Sequence, residues 1–282
     1  MTWKFFEVTV SGKWVLAGEH AVLRGATAVA LPLPDYSLKL TFRPSAENLR
    51  ITPDSASDLL LDMISGILSR SGHEPAPPSG LLSIESTLPT GAGLGSSAAL
   101  CVALTRWTGE ALGIPESDWQ EMARSLENRF HGQSSGMDVS TILAGTPITF
   151  STARGSVPLN LKRLPRFTFH DTGLRANTSD CIAKVRELAS RSPEIAARLD
   201  QGMREAAEMA REALIDFNQQ GAPALKHLAE SMRLAQESYA GWGLLPDAAR
   251  KLQTRLLTEG ALACKLTGAG GGGFLIALWP SD

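Results

Sequence analysis

The sequence predicts a mixed α/β chain, with strands and helices interleaved through the first half and helices crowding the second. Three observations carry this. Short apolar or alternating runs recur at Phe5 to Val10, Ala28 to Leu33, Leu38 to Phe42 and Gly80 to Leu88. Apolar stripes at helical spacing recur at Ser57 to Ser71 and Pro115 to Phe130. The longest, Pro193 to Gln219, repeats Ile195, Leu199, Met203, Ala206, Ala210, Leu214 and Phe217 at intervals of three and four. Finally, a glycine-rich stretch, Pro89 to Gly95, stands between a strand-like and a helix-like segment.

The bulk numbers narrow the function classes. A chain of 282 residues suffices for one large or two ordinary domains. Its net charge of −2, with no basic block, gives no nucleic-acid footprint. No run of about 20 apolar residues exists to span a membrane. The start, Met1 to Glu7, has no long apolar core or cleavage site, so no signal peptide is expected. Cys101, Cys181 and Cys264 are odd in number and form no C-x-x-C pair, which favours a reduced, cytoplasmic setting without a zinc site. Oligomeric state is not encoded legibly; a homodimer is compatible with the composition.

In chain order, Phe5 to Val10 is expected as a strand, followed by a charged turn at Gly18-Glu19-His20. Leu38 to Phe42 and Leu49 to Ile51 are expected as short strands, and Ser57 to Ser71 as a helix. Ser71 to Ser79, with three prolines, is a loop. Gly80 to Leu88 is a strand. Ser97 to Leu112, rich in Ala, Leu and Val, is a helix capped by the serine pair Ser96 and Ser97. In Pro115 to Phe130 the apolar face is Trp119, Met122, Ala123, Leu126 and Phe130, and Glu127 borders it. A carboxylate there wants a cation, and Arg124 or Arg129 is the simple partner. Gly145 to Phe150 and Phe167 to His170 are strands, with a turn and edge region between them. Thr178 suits a helix N-cap, since Ile182, Val185 and Leu188 follow at helical spacing. Helices are expected at Ala222 to Ala235 and Pro246 to Thr258, the latter closed by Gly260. Two last strands flank the run Gly268 to Gly273.

The stretch Pro89-Thr90-Gly91-Ala92-Gly93-Leu94-Gly95-Ser96-Ser97 is chemically the most pointed. Glycines let a backbone approach a ligand closely, and the first turn of a helix offers unpaired N–H groups and the positive end of its dipole. Together these suit a phosphate, although a glycine-rich turn can also be only a turn. No Lys follows the last glycine, so this is not a Walker A loop. The G-x-G-x-G spacing is not the dinucleotide fingerprint either.

Three strings, in order, carry a resemblance. They are Gly12-Lys13 through Gly18-Glu19-His20-Ala21-Val22, then Pro89 to Leu100, then Lys265-Leu266-Thr267-Gly268-Ala269-Gly270-Gly271-Gly272-Gly273. The chain resembles the GHMP kinases, and within them the mevalonate kinase branch. The segment Glu127 to Asp138, with its E-x-x-x-H-G-x-x-S-G-x-D pattern, is similar to that branch too. Three positions depart from it: Trp14 where an aliphatic residue is usual, Val139 after the Asp, and Ser134 in place of a Pro. Ala176 further stands where many relatives carry Arg.

The resemblance implies a two-domain GHMP kinase fold of α/β (α+β) class. Residues 1–165 would form an ATP-binding domain like domain 2 of ribosomal protein S5. Residues 166–282 would form a ferredoxin-like domain, with the active site in the cleft between them. It implies ATP- and Mg²⁺-dependent phosphorylation of a small alcohol, (R)-mevalonate by the branch; the alternatives are another GHMP small-molecule enzyme (a phosphomevalonate, homoserine or sugar kinase, or diphosphomevalonate decarboxylase) and, behind these, a non-catalytic ligand-sensing relative. By the same resemblance Pro89, Gly91, Ala92, Gly93, Leu94, Gly95, Ser96 and Ser97 hold the nucleotide. Ser97 and Glu127 hold Mg²⁺, and Asp138 takes the acceptor proton. Lys13 steadies Asp138 and the transferring phosphoryl group. Glu19, His20, Thr178 and Gly270 line the acceptor. His131 is expected to make a structural hydrogen bond rather than act as a base.

Overall fold

A computed structural model describes residues 3–72, 77–132 and 134–281 of the chain, without the side chain of His131. The Ser71 to Ser79 loop therefore lies partly outside the described residues, as do Gln133 and the role expected for His131.

The elements run β1 (Phe6–Ala17), β2 (Ala28–Pro44), β3 (Arg50–Thr52), α1 (Ser57–Arg70), β4 (Gly80–Ser86) and α2 (Ser96–Leu112). They continue with α3 (Trp119–His131), α4 (Met137–Ala144), β5 (Ile148–Ser151), β6 (Gly155–Pro158) and β7 (Phe167–Asp171). Then come α5 (Thr178–Arg191), α6 (Pro193–Gln220), α7 (Leu225–Gly241), α8 (Asp247–Thr258), β8 (Ala263–Leu266) and β9 (Phe274–Leu278). Strands and helices thus mix in the first half and helices crowd the second, as the pattern predicts.

Two strands are longer than expected, for identifiable reasons. β1 alternates only to Ser11. From Gly12 to Ala17 every residue is buried, so the period-2 signal disappears while the strand continues. That extension carries Lys13. β2 joins the two apolar runs across Pro32 and Pro34, which looked like a break. The prolines fall between the stretch paired with β5, Ala28–Ala30, and the stretch paired with β4, Leu38–Pro44.

The chain forms two compact units. The first comprises the residues up to Gly12, Leu33–Pro89 and Gly95–Leu143; the second comprises Lys13–Pro32, Thr90–Leu94 and everything from Ala144. In the first, β4 lies between β2, antiparallel, and β3, parallel. α1 packs on α2, and α2 on α3. Leu40, Phe42, Leu60, Met63, Ile64, Leu82, Val102 and Trp107 fill its core. Trp107 and Phe42 stack with ring centroids 4.9 Å apart.

In the second unit, the Ala28–Ala30 end of β2 pairs with β5, and β5 with the edge strand β6. A separate antiparallel sheet, in order β7-β9-β8, is packed by α7 and α8, and α6 packs on α5 and α7. Trp14, the unusual residue of the first string, is core. It is 3% exposed, and its ring meets Phe167 and Phe169 edge-on at 4.8 and 5.5 Å.

Candidate active site

The loop after β4 divides between the units: Pro89 and the residues from Gly95 lie in the first, Thr90–Leu94 in the second. The loop after β4 passes through Gly91, Gly93 and Gly95 at φ of 68°, 79° and 82°. α2 then begins at Ser96. Its N-cap is Gly95 in the left-handed conformation, with no side-chain cap hydrogen bond. The expected serine cap is thereby corrected. The chain must turn sharply at residue 95, only glycine does so without strain, and Ser96 and Ser97 become the first two helical residues. The cap residue has no side chain to occupy the first turn and no acidic residue stands in it, so its dipole end is positive and suited to an anion.

Glu127 on α3 is 2% exposed and accepts a hydrogen bond from Ser134 Oγ. Ser134 is itself held. Its Oγ accepts from the Gly136 N–H at 3.0 Å, and its N–H donates to Asn128 Oδ1 at 2.7 Å. Of the two arginines near it in sequence, Arg124 pairs with Glu121 and Arg129 with Asp62. Burial, and secondarily the Glu127 charge, push the Cys101 thiol far up. Cys101 stands four residues beyond Ser97, so Glu127 approaches the α2 stripe on which Ser97 lies. Asp138, half-buried, is the second residue of α4, a helix the sequence reading did not anticipate.

A second cluster lies in the second unit. Lys13, 2% exposed, donates from Nζ to Gly93 O at 3.2 Å, and its N–H donates to Leu94 O at 3.0 Å. Val15 N–H donates to Thr267 Oγ1 at 2.9 Å, and that hydroxyl lies 3.2 Å from Val15 O. These bonds tie β1 to both glycine stretches. The stretches also touch each other: a Cβ on Gly268 would stand 2.6 Å from Gly93 Cα, and one on Gly273 would stand 2.5 Å from Ala92 O. So much glycine is explained here by backbone lying directly on backbone.

Glu19 and His20 follow at the end of β1. His20 has φ 58° and ψ −46°, the one positive-φ non-glycine among the described residues. The Ala21 N–H donates to Glu19 O at 2.6 Å, closing the rare γ-turn around His20. His20 Nε2 donates to Ala269 O at 2.8 Å, and its ring meets Trp242 and Tyr239 edge-on at 5.2 and 6.4 Å. Burial holds this imidazole below its ordinary pKa. Glu19, 4% exposed, is paired through Oε1 with Lys265 Nζ at 2.7 Å.

Thr178 is the first residue of α5. The helix cap is Asn177, whose Oδ1 accepts from the Ser179 N–H at 2.8 Å, so the cap expected at Thr178 is corrected by one residue. Asn fits that place because its side-chain carbonyl oxygen reaches the second amide of the helix. One turn on, Cys181 Sγ donates to Gly270 O at 3.4 Å, which brings the start of α5 to the glycine run. Ala176 is pressed there as well, since a Cβ on Gly271 would lie 2.8 Å from the Ala176 Cβ. Arg175, one position earlier, is paired instead with Asp171 at 2.7 Å.

The second unit therefore brings Lys13, Glu19, His20, Ala92, Gly93, Leu94 and Gly270 into one network, with Thr178 one helical turn from the Cys181–Gly270 bond. Pro89, Gly95, Ser96, Ser97, Glu127 and Asp138 belong to the first unit. The sequence reading missed Lys265, Tyr239 and Trp242. Lys265 had a signal: a lysine inside an apolar strand, Ala263-Cys264-Lys265-Leu266, must find a counter-charge.

Two family models match. "GHMP kinases N terminal domain" covers residues 58–146, and "GHMP kinases C terminal" covers residues 219–282. The chain is 29% identical over 293 residues to a mevalonate kinase of Aeropyrum pernix, covering 95% of this chain and 86% of that one. Among solved structures it is similar to an L. major mevalonate kinase in complex with R-mevalonate. That match has a TM-score of 0.79 and 24% identity over 98% of this chain and 88% of the other. A Lactococcus lactis galactokinase complexed with galactose matches at 0.78 and 19% identity, over 98% and 86%. The shared fold alone therefore does not select the acceptor.

Proposed function

The chain belongs to the GHMP kinases, and from that membership we propose that it transfers the γ-phosphoryl group of ATP to the primary hydroxyl of (R)-mevalonate, giving 5-phosphomevalonate and ADP. The observation that carries the choice of acceptor is the match to the mevalonate kinase of Aeropyrum pernix over 95% of this chain. The buried Gly18-Glu19-His20 corner supports it.

Phosphoryl transfer asks a protein mainly for positioning and charge neutralisation. The loop from Pro89 to Ser97 and the open first turn of α2 receive the polyphosphate through backbone N–H groups. Asp138 accepts the proton leaving the acceptor hydroxyl. Lys13 offsets charge on the transferring group. His20, Thr178 and the backbone at Gly270 face the acceptor, and Glu19 stands behind them.

The donors fit Mg²⁺. Ser97 offers a hydroxyl and Glu127 a buried carboxylate, hard oxygen ligands of the kind this ion takes beside phosphate and water. When bound, the ion neutralises charge on the polyphosphate. Ser134 fixes the Glu127 carboxylate for that task. The three free, buried cysteines suit the reducing cytoplasm, where we place the enzyme.

The test is ADP release measured across mevalonate, phosphomevalonate, homoserine and galactose, with trapped CO₂ as the assay for an ATP-dependent decarboxylase. Mevalonate should give the highest kcat/KM. Faster turnover of any other acceptor, or release of CO₂, overturns the assignment.

A further inference from the structure

Lys265 is wholly buried, with 0% exposure, at the centre of β8. Two of its three ammonium hydrogens are accounted for: Nζ donates to Glu19 Oε1 at 2.7 Å and to Val15 O at 3.1 Å. It also stands 5.3 Å from the Tyr239 ring centroid. Tyr239 in turn donates its hydroxyl to Gly268 O. Burying an ion pair of this kind brings little net stability, because desolvation of both charges offsets their attraction. An apolar pair would hold β1 to β8 at least as well.

What the charges do here is directional. Lys265 ties the carboxylate of Glu19 and the carbonyl of Val15 to one point, on the N-terminal side of the turn at His20. His20 sits in a backbone conformation that a non-glycine residue adopts only under constraint from its surroundings. The constraints are visible: Glu19 anchored to β8 on one side, Ala269 O on the imidazole, and the Trp242 and Tyr239 rings around it. Glu19 Oε2 has no hydrogen-bond partner among the described residues, and Lys265 holds the other oxygen of that carboxylate.

We infer that Lys265 is a positioning residue for the acceptor site: by anchoring Glu19 it maintains the γ-turn that presents His20 beside the glycine run. This deepens the proposed function and rests on it for the identity of the acceptor. Lys265 itself touches neither substrate. Its loss acts through the turn and spares the nucleotide loop.

The experiment compares the full-length wild type, Lys265→Met and the double variant Glu19→Gln/Lys265→Met. In Lys265→Met the KM for mevalonate should rise about tenfold or more while the KM for ATP stays within about twofold. Amide hydrogen exchange without substrates should quicken about tenfold at Ala21 and Val22, and stay unchanged in the core of α6. The double variant removes the uncompensated charge, so it should regain thermal stability and still keep the raised mevalonate KM and the fast exchange. If Lys265→Met does not fold, the double variant decides by the same two readouts. A folded variant with wild-type mevalonate KM and wild-type exchange at Ala21 overturns the inference. A wild-type protein inactive on mevalonate would overturn the acceptor assignment instead, and the exchange readout, which needs no substrate, would still decide the role of Lys265.

Discussion

Ser134 Oγ donates to the Glu127 carboxylate and accepts from the N–H of Gly136, two residues before Asp138. One hydroxyl thus links the side chain proposed for the metal with the turn that launches the helix bearing Asp138, the proposed proton acceptor. A proline at position 134 could make neither bond.

Ser134→Ala should therefore weaken Mg²⁺ dependence before it weakens the fold. Partners that orient a metal ligand typically cost about 10–100-fold in affinity when removed. Half-saturating Mg²⁺, titrated at fixed ATP, is expected to rise about tenfold. An unchanged Mg²⁺ titration would leave Ser134 with a turn-forming role only.

Asp138→Asn keeps the shape of the side chain and removes its basicity. A positioned general base contributes about 10²–10⁴-fold, so kcat should fall by that order while ATP affinity, read by calorimetry, stays near wild type. Full turnover in the variant removes Asp138 from proton transfer.

How much of this was legible in the sequence divides along physical lines. Both glycine stretches and the helices with clean apolar stripes could be read directly, because close backbone approach and one-sided burial leave compositional traces. The second half of β1 could not, since burial on both faces erases alternation, and Lys13 was consequently placed outside a strand. The caps were misassigned by one residue at Thr178 and Asn177 and at the Ser96–Ser97 pair. Several neighbouring residues there have capping side chains, and only backbone geometry selects one. Lys265 was passed over because a lysine in a four-residue strand does not name its counter-charge, here 246 residues away.

Glycine substitutions should separate conformational cost from contact. Gly243 has φ 72° and no atom within 4 Å of an added Cβ, so Gly243→Ala should cost only the left-handed penalty, about 1–2 kcal/mol. Gly268→Ala carries the same penalty and places its Cβ 2.6 Å from Gly93 Cα, adding about 1–3 kcal/mol of overpacking. Urea denaturation of the two variants measures the difference. Equal losses would mean that the two glycine stretches part easily.

His20 should leave a mark on acid stability. Burial, with Arg24 acting in the same direction, holds its imidazole below the ordinary 6.5, against the opposing pull of Ala269 O and Asp200. Below pH 6.5 the unfolded chain takes up a proton that the folded chain refuses until its own lower pKa is reached. Stability is thus full above 6.5 and is lost as pH falls through that window. His170, also shifted down by burial, contributes with the same sign. His20→Gln should shrink the loss between pH 7.5 and pH 5 in denaturant titrations. An identical loss in the variant would mean that His20 titrates normally in the folded chain.

The bond between Val15 and Thr267 spans 252 positions. During synthesis, everything from β1 to the start of Gly268 to Gly273 must leave the ribosome before that clasp can close. At about 5–20 residues per second, β1 waits on the order of ten seconds or more with its apolar half unclaimed. A nascent chain stalled before residue 267 should consequently be a client for chaperones, with Trp14 and Leu16 among the residues they would grasp.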